Sequence, residues 1–256
     1  MSDILILGAT GAVGSAFCDY LDSNGLKYTT WDRQQTPLWD FQAVEKVLKK
    51  IGPSVVYNFA IASKSESFNG RKIKSFEINV ELPVLLAKLS NILSFKLVQT
   101  STVMVFGEHQ PGPFDVKKRP DPDTNYGKEK LTMEKLIKSE RSDSVVIRLG
   151  WQIGKRIGNN NMVDFIDKSC RTAPLSASKN WKPACSKLED TTKALHLAAN
   201  MKPGLYQFND NRGKSFFNIA RDLKKRLNMS HWNISESTIP NWNQTMINNI
   251  PRYADF

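Results

Sequence analysis

The sequence predicts an α/β fold, a doubly wound parallel sheet with a smaller C-terminal lobe. Three observations carry the prediction. Short apolar runs alternate with helix-period segments as far as Arg148. A glycine-rich turn, Gly8-Ala-Thr-Gly11-Ala-Val-Gly14, joins the first apolar run to the first helical segment. Beyond Arg148 the pattern loosens, then resumes as one more helix and strand.

The strands are expected at Asp3–Leu7, Tyr28–Trp31, Ser54–Phe59, Lys96–Thr100 and Ser144–Arg148. Their near-continuous apolar character suits a parallel sheet covered on both faces. Between the first two, Val13, Ala16, Phe17, Tyr20 and Leu21 share one helical face, and Asn24-Gly25 ends it. Phe41, Val44, Val47, Leu48 and Ile51 form a second face, stopped by Gly52-Pro53. Leu82, Leu85, Leu86 and Leu89 form a third, with Pro83 a kink or a start. Leu131, Leu136 and Ile137 are placed on a fourth. Residues 150–187 are rich in Gly, Asn, Lys and Ser and show no regular period. A helix at about 188–201, a strand at Leu205–Phe208 and a helix near 216–228 follow. The expected division is a dinucleotide-binding core over 1–150 and a mostly substrate-binding lobe over 151–256, with helix 188–201 and strand 205–208 returning to the core.

Composition narrows the class. The 256 residues carry 36 Lys+Arg against 25 Asp+Glu, a net charge of +11. With 40% hydrophobic and 24% charged residues the chain is ordinary globular material, which excludes disorder, collagen and coiled coil. The basic excess implies an anionic partner: nucleic acid, a membrane surface or a phosphorylated small molecule. No apolar stretch approaches the roughly 18 residues of a membrane span, and Ile4–Leu7 lacks the basic flank of a signal peptide. The basic groups Lys49-Lys50, Lys117-Lys118-Arg119 and Lys224-Lys225-Arg226 are short and lack interleaved aromatics, so neither nucleic acid nor membrane is expected as partner. Cys18, Cys170 and Cys185 have no metal-type spacing and read as free thiols of a reducing cytosol. His109, His196 and His231 lie far apart, so no metal is expected.

The glycine turn has the spacing G-x-x-G-x-x-G. Gly8 permits the tight turn, Gly11 lets backbone approach a pyrophosphate, and Gly14 allows close helix–strand packing, as in a Rossmann fold. The following helix offers its N-terminal N–H groups to phosphate, with Thr10, Ala12 and Val13 completing the cradle. Asp32, 18 residues after Gly14, stands where an acid binds a ribose 2′-hydroxyl, while Arg33 suits a 2′-phosphate. NAD and NADP both stay open, with NADP preferred.

Tyr126 and Lys130 are four apart at the start of a helix, one turn apart on one face. An ammonium beside a phenol favours phenolate and lowers its pKa, so the pair can exchange a proton with a carbonyl or alcohol oxygen. Thr102 closes the preceding strand at the carboxyl edge, where ligands bind in such sheets.

The motifs Gly8-x-x-Gly11-x-x-Gly14, Asp40-Phe41, Asn58-Phe59-Ala60, Asn79-Val80, Ser101-Thr102-x-x-Val105-Phe106-Gly107 and Tyr126-Gly127-Lys128-x-Lys130 occur in order. Together they resemble an extended short-chain dehydrogenase/reductase, and most of all the dTDP-4-dehydrorhamnose reductases. Arg148-Leu149-Gly150-Trp151, Asn159-Asn160-Asn161 and Gly204-Leu205-Tyr206 fit that group too. The likeness is strong as far as residue 150 and weak after 210.

The resemblance implies an NAD(P)H-dependent, cytoplasmic reductase of a nucleoside-diphosphate 4-keto-6-deoxy sugar, with room for a homodimer. It places Asp40 and Phe41 beside the adenine and Ala60, Ile61 and Ala62 along the dinucleotide. Asn79 would support the active-site helix. Thr102, Tyr126 and Lys130 would be catalytic, with Lys130 also holding the nicotinamide ribose. Thr102, Val103, Trp151, Asn161 and Trp181 would meet the substrate, although ordinary packing explains Trp181 equally well. Val103 stands where these reductases usually carry Asp and sugar-nucleotide dehydratases an Asp-Glu pair, which disfavours dehydration. Val103 and Met104 supply no Cys acid for built-in epimerisation. A 4-epimerase with tightly held NAD and a non-catalytic NADP-binding subunit remain as alternatives.

Overall fold

The structure is a computed structural model that describes residues 4–62, 71–158 and 160–250, together with the backbone of 66–68. Asp3, Asn159 and the segment from Pro251 onward, on which parts of the sequence reading fall, lie outside the described residues.

The strands are β1 (Ile4–Leu7), β2 (Thr29–Thr30), β3 (Val55–Asn58), a small hairpin of β4 (Glu66–Phe68) and β5 (Arg71–Ile73), β6 (Lys96–Thr102), β7 (Ser144–Leu149), β8 (Trp151–Ile153), β9 (Leu175–Ser178), β10 (Cys185–Lys187), β11 (Gly204–Phe208) and β12 (Ile234–Ser237). The helices are α1 (Ala12–Ser23), α2 (Phe41–Ile51), α3 (Leu82–Leu93), α4 (Asn125–Ser139), α5 (Met162–Thr172), α6 (Leu188–Ala198) and α7 (Phe216–Arg226). Six strands pair in parallel in the order β2-β1-β3-β6-β7-β11. The chain leaves β1 toward β2 and returns to build the other side from β3, so the order reverses between β1 and β3. In an open α/β sheet the ligand crevice lies outside the carboxyl ends of the strands at such a reversal.

The strand period of two divides the core. Leu5, Leu7, Val56, Leu97 and Val146 face one layer, against Val44 and Leu48 of α2, Leu82 and Leu86 of α3, and Met133 and Ile137 of α4. The alternate residues Ile6, Tyr57, Val98, Val145 and Ile147 face the other, against Phe17 and Leu21 of α1 and Leu195 and Ala198 of α6.

Local chemistry sets the helix limits. Asp40 caps α2 by accepting from Ala43 N at 3.1 Å, and Gly52 ends it in the left-handed region at φ 61°. Pro83 sits in the first turn of α3 and so marks a start. A wide turn of π-helix over Glu77–Glu81 leads into that helix. One expectation is corrected in α4. Its buried face is Gly127, Lys130, Met133, Glu134 and Ile137, while Leu136 is 40% exposed. Polar and charged side chains occupy the inward stripe, which hides the true period from a hydrophobicity reading.

The lobe packs α5 and α7 around the fully buried Trp232, with Met162, Ile166, Ile219 and Leu223. β9 and β12 pair in parallel beside them, and β8 with β10. The buried Asp167 of α5 accepts from His231 Nε2 at 2.8 Å, Trp232 Nε1 at 3.0 Å and Arg171 Nε at 2.7 Å. Burial alone would raise its pKa, but those three donors outweigh it and hold the carboxyl at about 2. Among the described residues no helix is long and apolar enough to cross a membrane.

Candidate functional site

The carboxyl ends of β1 and β3 open into a cleft of about 470 Å³ walled by the glycine turn, by Trp31–Gln34 and by Phe59–Ala62. Gly8 adopts φ 77°, and a Cβ there would lie 2.6 Å from the Ala60 backbone. A side chain on Gly14 would collide with Gly8 O and Ala9, so α1 approaches β1 closely. Gly11 is the N-cap of α1 and brings no side-chain cap, and the first turn holds no acid. The positive end of α1 is thereby directed at the cleft, which fits the pyrophosphate of a dinucleotide.

Most of the sequence-predicted binding residues converge here. Gly8, Thr10, Gly11, Asp32, Arg33, Ala60, Ile61 and Ala62 all line the cleft. Asp32 Oδ1 accepts from Gln34 N at 2.8 Å, which shapes the turn that presents Arg33. Ala12 and Val13 stand behind the wall in the first turn of α1. Leu38 and Trp39 line the cleft immediately before Asp40 and Phe41. The exposed Asp40 caps α2 through Oδ1, and Phe41 packs on the apolar layer. The sequence reading also missed Trp31, Ile73 and Ile78 in this wall. Trp31 could have been suspected from its place at the end of a predicted strand.

Asn79 couples the cleft to α4. Its Oδ1 accepts from Ala62 N at 3.0 Å, and its Nδ2 donates to Ala62 O and to Glu129 Oε2, both at 2.7 Å. Glu129 Oε1 accepts from Ser75 Oγ at 2.7 Å. Glu129, which the sequence reading passed over, thus ties the wall of the cleft to the helix that carries Tyr126 and Lys130.

Thr124 caps α4 by accepting from Gly127 N at 3.1 Å. A Cβ on Gly127 would run into Met104 O, so the start of α4 presses on the turn that follows Thr102. Thr102 Oγ1 accepts from Met104 N at 3.2 Å. Lys130 is 1% exposed and donates from Nζ to Thr100 O at 3.1 Å, and Nζ lies 5.8 Å from the centre of the Tyr126 ring. The three expected catalytic side chains therefore share the carboxyl end of β6. One turn further along α4, Glu134 takes a bidentate pair from Arg148 at 2.7 and 2.9 Å and a bond from Ser101 Oγ at 2.6 Å. Arg148 also stacks on Phe106 at 5.0 Å.

The electrostatics correct one expectation. Burial, then the Glu129 carboxylate, pushes the Tyr126 phenol up to about 12. Burial pulls the Lys130 ammonium down to about 8 against the nearby Glu134 and Glu129 carboxylates. Both influences on Tyr126 act in the same direction, and the phenol stays protonated at neutral pH. Such a phenol suits proton donation to a ketone.

The residues expected to meet substrate differ in what occupies them. Trp151 stacks at 6.2 Å on Trp181 and lies edge-on to Phe165 at 5.0 Å. Trp181 also donates from Nε1 to Gln244 Oε1 at 2.8 Å. Both indoles are partly buried against the lobe core. Asn161 is 4% exposed and caps α5, its Oδ1 accepting from Val163 N at 2.8 Å and its Nδ2 donating to Arg156 O at 3.3 Å. Its amide is thus occupied within its own loop. Val103 opens the turn after β6, half-buried.

Sheet order, glycine turn and the Tyr126–Lys130 helix define a Rossmann-type protein of extended short-chain-dehydrogenase architecture. The chain belongs to the RmlD substrate binding domain family, whose profile matches residues 1–246. It is 24% identical over 161 residues to a dTDP-4-dehydrorhamnose reductase of Aggregatibacter actinomycetemcomitans, a match covering 62% of this chain and 54% of that one. It is 27% identical over 153 residues to methionine adenosyltransferase 2 subunit beta of Rattus norvegicus, covering 57% of this chain and 46% of that one. The aligned stretches thus span about half the length of these curated relatives. The crystal structure of a dTDP-4-dehydrorhamnose reductase from Bacillus anthracis in complex with NADP superposes with TM-score 0.83 at 21% identity, covering 100% of this chain and 93% of that one.

Proposed function

We propose that this chain is a cytoplasmic, NADPH-preferring reductase, with NADH as a usable alternative, of a nucleotide-activated 4-keto-6-deoxy sugar, and that it works as a homodimer. The observation that carries the reading is Tyr126 and Lys130, one turn apart at the carboxyl end of β6 and bound through Glu129 and Asn79 to the glycine-turn cleft. The B. anthracis structure in complex with NADP supports the cofactor, and the A. actinomycetemcomitans relative supports the substrate class.

Gly8–Gly11 and the α1 N-terminus would hold the pyrophosphate, with Asp32 and Arg33 at the adenosine ribose. The nicotinamide, when bound, supplies the hydride that adds to C4. Tyr126 gives its proton to the C4 oxygen as that carbon is reduced, so the ketone becomes an alcohol. Lys130, protonated below about pH 8 and 5.8 Å from the Tyr126 ring, would hold the nicotinamide ribose and stabilise the charge left on Tyr126. Thr102 orients the ketone, and Val103 and Trp151 border the sugar, with Asn161 and Trp181 shaping the lobe beside it.

The test is turnover of NADPH with dTDP- and UDP-linked 4-keto-6-deoxyhexoses. Wild type should oxidise NADPH with at least one, and Tyr126→Phe should lose on the order of 10²–10⁴ in rate, the worth of a general acid. No oxidation with any such ketone would contradict the reading. A second reading, a cofactor-binding subunit without turnover, draws on the likeness to methionine adenosyltransferase 2 subunit beta. Tight NADPH binding without turnover would favour it.

A further inference from the structure

A large concavity lies away from the nucleotide cleft. It is a groove of about 980 Å³ along α4, lined by the half-buried Leu131 of α4 and Leu205 of β11, with Val146 and Ile137 almost fully buried beneath them. Its origin is topological. α2, α3 and α4 cover the sheet from β1 to β6 on this face. The next crossover, from β7 to β11, runs out through the lobe and returns as α6 on the opposite face beside α1. The helical layer therefore stops one helix short of the sheet edge. The groove follows α4 from Leu131 to Arg141, about 15 Å at the helical rise per residue, close to three turns.

Its rim is basic. Lys117, Lys135, Lys138 and Arg141 line it, and among the described residues none of the four has an acidic partner. The acids at the groove are already engaged, Glu134 by Arg148 and Asp143 by Lys96. An isologous contact with a second copy would set these cations against the same cations, which is costly.

We propose that this groove receives an acidic amphipathic helix of a partner protein, seated where the layer lacks its fourth helix. The occupant presents an apolar stripe at i, i+3, i+4 and i+7 to Leu131, Leu205 and Val116. Its Glu and Asp flanks meet Lys117, Lys135, Lys138 and Arg141. The charge pairs at the rim steer and select, and the apolar lining supplies the affinity.

The experiment uses the full chain and a fluorescent synthetic peptide of about fourteen residues, long enough to span the groove, with a Leu stripe and Glu flanks. An isomer of the same composition with its Leu residues dispersed, and a version with Lys for Glu, are the controls. The striped acidic peptide should bind saturably, and Lys135→Glu combined with Lys138→Glu should weaken it about tenfold or more, as expected for several lost charge pairs. NADPH affinity should be unchanged in that variant, which shows that it folds. Absence of saturable binding, equal binding of the dispersed isomer, or indifference to the charge reversal would overturn the proposal. So would a dimer of this chain abolished by the same reversal, or a nucleic acid that displaces the peptide.

Discussion

Lys130 is the residue on which the proposed chemistry turns. Its ammonium is buried and held at about 8, so its charge is present below that pH and is lost as the pH rises through it. Tyr126, at about 12, keeps its proton over the same range. The rate of ketone reduction should therefore show an alkaline limb with a midpoint near 8 that belongs to Lys130. Lys130→Met should be slower and should lack that limb, as a pH–rate profile of both proteins will show. A limb that survives in Lys130→Met would assign it to another group. Residue chemistry of this kind was legible where a motif carries it. The glycine turn and the spacing of Tyr126 and Lys130 are local patterns, and both lie where the pattern places them. The rest of the cleft wall was not local. Leu38 and Trp39 line it from a turn that carries no motif.

At the scale of elements, α4 joins the site to the core. Its inward stripe holds Lys130, Glu134 and Gly127 as well as Met133 and Ile137. Glu134 with Arg148 forms a nearly dry ion pair, the two side chains 6% and 2% exposed. Removing one partner strands a buried charge, so Arg148→Met should cost about 3–5 kcal/mol of stability. Replacing both partners by apolar side chains should recover part of that loss. Denaturant unfolding of the single and double variants checks this, and a single variant as stable as wild type would show that the pair contributes nothing. The same buried charges explain why Leu136 misled the sequence reading: the apolar period of α4 is broken by the residues that serve the site. The lobe was hard to read for a different reason. β8, β9, β10 and β12 span three or four residues each, and β9 reads Leu-Ser-Ala-Ser. Short strands that small polar residues can fill leave little hydrophobic period.

For the whole molecule, the net charge of +11 divides between two surfaces and a remainder. Arg33 belongs to the nucleotide cleft, and Lys117, Lys135, Lys138 and Arg141 ring the groove beside α4. The parallel sheet and its two helical layers followed from strand–helix alternation, while the strand order and its reversal between β1 and β3 came only from the structure. The missing fourth helix did not, because the direction in which a long crossover returns is set by packing far along the chain. The most direct test of the proposed reductase is isotopic: NADPH carrying deuterium at the transferable position, incubated with the protein and a nucleotide-linked 4-keto-6-deoxyhexose. One deuterium should appear at C4 of the sugar, at a rate that Tyr126→Phe sharply reduces. NADPH bound in the cleft with no deuterium ever reaching the sugar would contradict it.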